Sequence, residues 1–279
     1  MRVAVLGLGI IGSIWADNLR QDGVEVRCWN RTAKDVPGFT ADPAAAVAAS
    51  DLAILVVADP PAVEAVVARI LPALAPGKVL VQSSTISAAC TRAVAEQVAG
   101  RGAAFLDAPF TGSKPAAQAR QTVFYAGGEA AVLERARPVL ARLSKAILHI
   151  GPIGAASSLK LAMNLNLALA CQALGESLAL ARAAGIDDAV FFDALHLNAA
   201  RSALTDLKEP KLRARDFSPQ FSLKHMGKDL RLALAGHGEA GHAGELALAE
   251  TLAGLYARAL ASGWGDEDFS ALSRLAGKS

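Results

Sequence analysis

An apolar run that breaks on closely spaced glycines opens the chain. Val3-Ala4-Val5-Leu6 leads into Gly7-Leu8-Gly9-Ile10-Ile11-Gly12, and Ser13 to Arg20 then reads as a helix. A strand that ends on G-x-G-x-x-G and starts a helix has few alternatives to a βαβ unit that holds a dinucleotide. Gly7 permits the tight turn, Gly9 lets the backbone approach a pyrophosphate, and Gly12 lets the helix pack close to the strand. Leu8, Ile10 and Ile11 share the loop and are expected to line the same cofactor. The helix start offers free N–H groups and a positive dipole end to an anion. The competing explanation is an ordinary glycine turn, but motif, position and surroundings agree with one another.

The second strand ends in Cys28-Trp29-Asn30-Arg31-Thr32. A site for NAD usually places an acidic residue here to hold the ribose 2′-hydroxyl. Asn30 is neutral, Arg31 can make a bidentate phosphate contact, and Thr32 adds a hydroxyl donor. That combination fits the 2′-phosphate of NADP; the alternative for Arg31 is a solvated surface cation. Val57, at the end of the next strand candidate, is expected at the same cofactor. Ser83-Ser84-Thr85-Ile86 follows a further strand candidate. Thr85 suits a nicotinamide ribose, and equally these hydroxyls can cap the helix after them.

Two textures divide the 279 residues. Up to about Ile150, strand candidates alternate with helical patterns. The strands are Val3 to Leu6, Val24 to Trp29, Ala53 to Val57, Val79 to Gln82, Ala104 to Leu106, Thr122 to Ala126 and Ala146 to Ile150. The helices include Ala62 to Leu74 and Thr91 to Ala99. Alternation of this kind predicts a parallel, doubly wound α/β sheet of Rossmann type with helices on both faces. After the turn at Gly151-Pro152 the pattern is helical: Ala155 to Ala184, ended by Gly185, then Asp187 to Leu197, Leu223 to His237 and Gly244 to Gly263. The expected domains are 1–152, binding the cofactor, and 153–279, all-helical and linked by the long helix.

Composition excludes several classes. At 53% hydrophobic and 19% charged residues the chain has a globular makeup. A net charge of +2 gives no basic field for nucleic acid. The most apolar stretch, Leu159 to Leu180, carries Lys160, Asn164, Asn166, Gln172 and Glu176, too many polar groups for a membrane span. The N-terminus lacks the form of a signal peptide. Cys28, Cys90 and Cys171 are odd in number and far apart, as expected of reduced structural thiols in a cytoplasmic protein. The five histidines form no metal pattern, with His237 and His242 in a glycine-rich turn. Trp15, Trp29 and Trp264 are expected to pack.

On the long helix Ser157, Lys160 and Asn164 make a polar stripe at i, i+3 and i+7. A lysine among Leu, Ala and Met either reaches water along its stem or has chemical work. Hydride addition to a carbonyl leaves negative charge on oxygen, which an ammonium can stabilise and protonate. Asn164 can orient the substrate or the lysine. In Asp107-Ala108-Pro109-Phe110-Thr111-Gly112-Ser113-Lys114, the Thr111, Gly112 and Ser113 hydroxyl and N–H groups suit a substrate carboxylate; a plain turn is the alternative. Lys224 and Lys228, four apart, are either exposed or, for Lys228, near the reacting crevice.

Taken in order, the Gly7–Gly12 loop, Asn30-Arg31-Thr32, Asp107 to Ser113, Lys160 with Asn164, and Lys228-Asp229-Leu230 resemble the β-hydroxyacid dehydrogenase family over nearly the whole chain. Asp216 to Leu230 and Gly265 to Ser270 strengthen the match. The resemblance is closest to the glyoxylate and succinic semialdehyde reductase branch. It implies a Rossmann domain and a helical domain with the active site between them, and Lys160 as catalytic acid or base. It also implies substrate or cofactor contacts from Thr111, Gly112, Asn164, Phe221, Lys228 and Asp229, and supports Thr85 as a cofactor contact. Homodimers or homotetramers through the helical domain are implied as well. Thr111-Gly112-Ser113 stands where the family often has Ser-Gly-Gly or Ser-Gly-Ser, so the hydroxyl survives and an added methyl narrows the pocket. Ala116 to Gln121 lacks a usual glycine, and the Gly-x-Gly turn before the catalytic helix is Gly154-Ala155-Ala156.

The expected activity is NADPH-dependent reduction of a small aldehyde acid. Oxidation of a 3-hydroxy acid such as 3-hydroxyisobutyrate is the first rival. Imine reduction is another, against which Lys160 speaks, because the related imine reductases generally lack that lysine. A catalytically silent NADP-binding protein is the rival from outside the enzymes; Lys160 and Asn164 argue against it.

Overall fold

The computed structural model describes residues 1–239 and 244–277, so His242 lies outside the described residues. The chain divides into two compact units, Met1–Leu161 and Ala162–Ser279.

In the first unit the elements run β1 (Arg2–Leu6), α1 (Ile10–Gln21), β2 (Glu25–Trp29), α2 (Pro43–Ala48), β3 (Leu52–Leu55), α3 (Pro60–Ile70), β4 (Val79–Gln82) and α4 (Ala88–Ala99). They continue with β5 (Ala104–Asp107), β6 (Phe110–Thr111), α5 (Lys114–Gln118), β7 (Thr122–Gly127), α6 (Ala130–Leu140), β8 (Ser144–Gly151) and the start of α7 (Ala155–Ala183). The strands form one sheet in the order β2-β1-β3-β4-β5-β7-β6, with β8 against β7. Side chains alternate across it as the period of two requires. Val3, Val5, Leu52, Ile54, Val79 and Val81 enter one core with residues of α1, α5 and α6. Ala4, Leu6, Ala53, Leu55 and Leu80 enter the other with residues of α2, α3 and α4. Both faces are therefore covered, as a doubly wound sheet demands. Trp15 packs edge-on to Phe110 with centroids 4.7 Å apart, in the first of these cores.

The expected parallel order runs unbroken from β2 to β5. β7 runs antiparallel to β5 and β6. A parallel return needs a crossover of a dozen residues or more, usually with a full helix. Residues 108–121, between β5 and β7, are spent on the two-residue β6, which pairs back on β7, and on the five-residue α5, so no full crossover helix is made and the chain doubles back. α6 then supplies a full crossover, and β8 is parallel to β7.

The second unit contains the rest of α7, then α8 (Asp188–His196), α9 (Ala203–Ala214), α10 (Leu223–Glu239) and α11 (Ala247–Ala261), closed by short 3-10 turns. α7 ends as Gly185 predicts: at φ +77° its N–H bonds Arg182 O, and Ile186 N–H bonds Ala181 O, which satisfies the last carbonyls. α6 and α9 carry Pro138 and Pro210 inside them. Those prolines interrupt the sequence pattern, which predicts neither helix. α9 compensates with a reciprocal Ser202–Thr205 capping box.

One buried ion pair sits in the core of this unit. Lys208 Nζ lies 2.6 Å from Asp268 Oδ1, and their side chains are 1% and 0% exposed. The ammonium also sits 4.2 Å from the centroid of Phe269. Burial alone pushes the Asp268 carboxyl up, but the Lys208 charge and the Ser270 donors outweigh it and hold the group below its usual value. Stability from this carboxylate is complete above its unfolded value near 4 and is lost as pH falls through the lower folded value. Removing one partner strands a buried charge. Lys208→Ala is expected to cost about 3–5 kcal/mol at neutral pH, and less at pH 4 where the stranded carboxyl protonates. Urea unfolding at both pH values measures this; a variant as stable as the parent at pH 7 contradicts it.

Candidate active site

The turn after β1 is built by close contacts. Gly7 has φ +107°. A Cβ there would lie 2.3 Å from Val56 O, and one on Gly12 would lie 1.9 Å from Gly7 O. Only glycine fits either place. At Gly9 an added Cβ meets nothing within 4 Å. Gly9 is also the N-cap of α1 and gives it no side-chain cap. The loop is thus packed tightly from behind and left open at Gly9, beside the uncapped helix start. That is the form of a cradle for an anion, and the glycines, Leu8, Ile10 and Ile11 lie in it. The donor set fits a dinucleotide pyrophosphate.

The end of β2 is tied to this loop. Gly7 N–H bonds Trp29 O at 2.9 Å, and Leu8 N–H bonds Asn30 Oδ1 at 3.0 Å. Asn30 Nδ2 in turn donates to Thr32 O at 2.8 Å. Asn30 therefore orders the turn, while Arg31 and Thr32 are exposed beside it. Sequence reasoning missed Lys34, whose Nζ donates to Leu8 O at 2.6 Å. Its position three residues past Arg31 carried the signal: a second cation on the same short loop.

The chain order reverses direction across the sheet between β1 and β3, and ligands of open α/β sheets gather at such a point. The residues after β3 and β4 meet there. Val57 N–H donates to Ser84 Oγ at 2.8 Å, and Ser83 N–H to Leu55 O at 2.8 Å. Ser87, not Thr85, caps α4 through Cys90 N–H. This removes the capping role from Thr85, which is half-buried on the same edge.

At the end of β5, Asp107 is fully buried. It accepts the N–H groups of Gly154 and Ser157, each at 3.0 Å, and the Ser157 hydroxyl at 2.7 Å. Burial pushes its carboxyl above the ordinary value, and the Ser157 and Gly154 donors pull against that. Gly154 keeps φ +93°, so the turn before α7 survives without a second glycine. Lys160, three residues past Ser157 on the same helix face, is 8% exposed. Thr111, Gly112 and Ser113 are half-buried. Gly112 has φ +119°, and a Cβ added to it would lie 3.0 Å from Ala116 Cβ and 3.1 Å from Thr122 Cγ2. The loop is thus a fixed strand-to-helix turn that starts α5.

In the second unit Asn164, 2% exposed, donates through Nδ2 to Asp229 Oδ2 at 2.6 Å. Lys228 Nζ is 2.9 Å from Asp229 Oδ1. Three of the expected residues therefore form one connected group. Lys224 instead faces outward and pairs with Asp266. Phe221 is half-buried, stacked near His225 and edge-on to Phe269. Asp268 holds its backbone, accepting Gln220 N–H at 3.0 Å and Phe221 N–H at 3.3 Å.

The thiols take no part. Burial pushes Cys171 up to about 12, and burial with the nearby Glu64 pushes Cys90 up to about 11. Among the described residues no cluster of His, Cys, Asp or Glu can hold a metal ion, and no helix is long and apolar enough to cross a membrane.

Comparisons agree with this geometry. A family model described as the NAD binding domain of 6-phosphogluconate dehydrogenase matches residues 2–151. A second, described as NAD-binding of NADP-dependent 3-hydroxyisobutyrate dehydrogenase, matches residues 154–276. The chain is 32% identical to glyoxylate/succinic semialdehyde reductase 1 of Arabidopsis thaliana, over 98% of this chain and 97% of that one. It is 30% identical to the cytokine-like nuclear factor N-PAC of Homo sapiens, covering 98% of this chain and 51% of that protein. A solved structure of Mycobacterium tuberculosis 3-hydroxyisobutyrate dehydrogenase with L-serine superposes with TM-score 0.86 at 29% identity, over 99% of both chains. An NAD(P)-dependent oxidoreductase acting on CH–OH groups is what the dehydrogenase and reductase likenesses describe, and the chain belongs to the β-hydroxyacid dehydrogenase family.

Proposed function

We propose that the chain reduces a small aldehyde acid, of the glyoxylate or succinic semialdehyde class, to the hydroxy acid with NADPH. The observation that carries this is Lys160, a nearly buried lysine on a helix whose first turn is fastened to the carboxyl edge of the dinucleotide sheet. The nicotinamide cofactor supplies the hydride. Lys160 Nζ would deliver the proton that completes the hydroxyl as hydride addition leaves negative charge on the carbonyl oxygen. A preorganised ammonium also stabilises the charge as it develops. Asn164 serves the same step by orientation, and its bond to Asp229 holds its amide.

Gly7, Leu8, Gly9, Ile10, Ile11 and Gly12 take the pyrophosphate in this proposal. Arg31 and Thr32 take the 2′-phosphate with Lys34 close by, and Asn30 shapes that turn. Val57, Thr85 and Lys228 contribute to the cofactor. Thr111, Gly112, Ser113, Phe221 and Asp229 serve the substrate. Residues 1–152 form the NADP domain and 153–279 the substrate and dimerisation domain. Self-association of the helical part as a homodimer or homotetramer belongs to the same proposal and rests on the family resemblance. The second reading is oxidation of a 3-hydroxy acid, favoured by the likeness to the mycobacterial dehydrogenase; Lys160 then accepts the proton.

Two variants test the proposal. Lys160→Ala is expected to lower kcat by about 10²–10⁴-fold with cofactor binding retained, measured by NADPH oxidation and by fluorescence titration. Undiminished turnover refutes the role. Arg31→Ala is expected to raise the Kd for NADPH while leaving that for NADH unchanged, measured by calorimetry. An unaltered NADPH:NADH ratio contradicts the assignment of Arg31.

A further inference from the structure

Asp107 is a buried carboxyl group for which the proposed reaction has no use. Helix caps ordinarily come from the residue next to the helix in sequence. Here the cap of α7 comes from a strand, with a separation of 47 residues to Gly154 and 50 to Ser157. A cap of that origin fixes more than the helix end. It sets the depth and rotation of the first turns of α7 against the sheet. A third point of attachment adds to this. The Ser157 hydroxyl donates to Asp107 Oδ1 and lies 2.8 Å from Thr91 Oγ1 on α4. The chain Thr91–Ser157–Asp107 therefore joins α4, α7 and β5 in one buried run.

The surroundings leave this run little freedom. A Cβ on Gly127 would lie 2.8 Å from Pro152 O and 3.2 Å from Asp107 Oδ2. Gly154 has φ +93°, and a Cβ on it would lie 3.3 Å from Ala88 Cβ. Ser157 and Lys160 are i and i+3, one above the other on the helix. Whatever fixes Ser157 fixes the base of the Lys160 side chain. α4 itself starts just after Ser83–Thr85, so the same run ties Lys160 to the sheet edge that carries Thr85.

We propose that Asp107, acting with Ser157 and Thr91, is a positioning residue for Lys160, setting where the ammonium is held relative to the carboxyl edge of the sheet. This rests on the reading of Lys160 as the acid. A misplacement on the order of 1 Å can cost about 10²-fold in rate. Asp107→Asn keeps the volume but replaces one of the two acceptor oxygens with a donor. It is expected to lower kcat by about 10–100-fold, with NADPH affinity unchanged. Ser157→Ala and Thr91→Val are expected to give smaller losses in kcat, again without a change in NADPH affinity.

The deciding experiment is a double-mutant cycle with Lys160→Ala, its residual rate read in single turnovers with excess enzyme. If Asp107 acts through Lys160, Asp107→Asn takes nothing further from the Lys160→Ala rate. A penalty that recurs in full on that background overturns the proposal and leaves a merely structural cap. So does wild-type kcat in Asp107→Asn. If Asp107→Asn does not fold, Ser157→Ala and Thr91→Val run through the same cycle, and wild-type kcat in both overturns it. Wild-type turnover in Lys160→Ala alone instead overturns the reading of the acid.

Discussion

The close approach of β1, β3 and α1 around Gly7 and Gly12 governs the first unit. A side chain at either glycine would collide with a backbone carbonyl, at 2.3 Å from Val56 O and 1.9 Å from Gly7 O. Because these contacts are backbone to backbone, no rotamer change relieves them. They bring the start of α1 down onto the strand ends. The open face at Gly9, the turn at Asn30 and the edge formed by Val57 and Ser84 then follow. An anion site made this way is specified by geometry more than by charge, since the N–H groups and the helix dipole supply the field. Side chains enter only at the rim, where Arg31, Thr32 and Lys34 stand.

Away from that loop, buried aspartates do the organising, each in a different manner. Asp107 is held by N–H and hydroxyl donors at a helix start. Asp229 joins the amide of Asn164 to the ammonium of Lys228. Asp268 pairs with Lys208 and also takes the backbone of Gln220, Phe221 and Ser270. A buried carboxyl is costly unless such partners satisfy it. Each therefore marks a place where backbone or side chains are held to one arrangement. Asp268 further explains why Asp216 to Leu230 and Gly265 to Ser270 go together: Ser222 and Asp268 form a bridge between the two stretches.

Local physics is legible in the sequence. The glycine loop, the period-two strands on both faces, the long helix and its stop at Gly185 all depend on near neighbours. What depends on distant partners is not. The antiparallel return at β7 follows from the pairing of β6 with β7, which takes up the connection after β5 in place of a crossover helix. Pro210 hides α9, and its buried Lys208 takes a partner 60 residues away. Asp107 ends β5 just before a stretch that draws the eye to Thr111 and Gly112, yet its partners are Gly154 and Ser157. Sequence alone leaves the cap of α4 open to the Ser83–Thr85 hydroxyls, whereas the structure gives it to Ser87. Lys34 is the exception among the missed residues, since a second cation on the short loop of Arg31 is visible without any distant partner.

The central claim is that this member of the β-hydroxyacid dehydrogenase family uses the phosphorylated nicotinamide cofactor to reduce small aldehyde acids. A steady-state panel tests it most directly: glyoxylate, succinic semialdehyde and a cyclic imine with NADPH and NADH, and 3-hydroxyisobutyrate with NADP and NAD. The account predicts the highest kcat/KM for an aldehyde acid with NADPH. Turnover confined to the imine, to the hydroxy acid or to the non-phosphorylated cofactor, or no turnover at all, would contradict it.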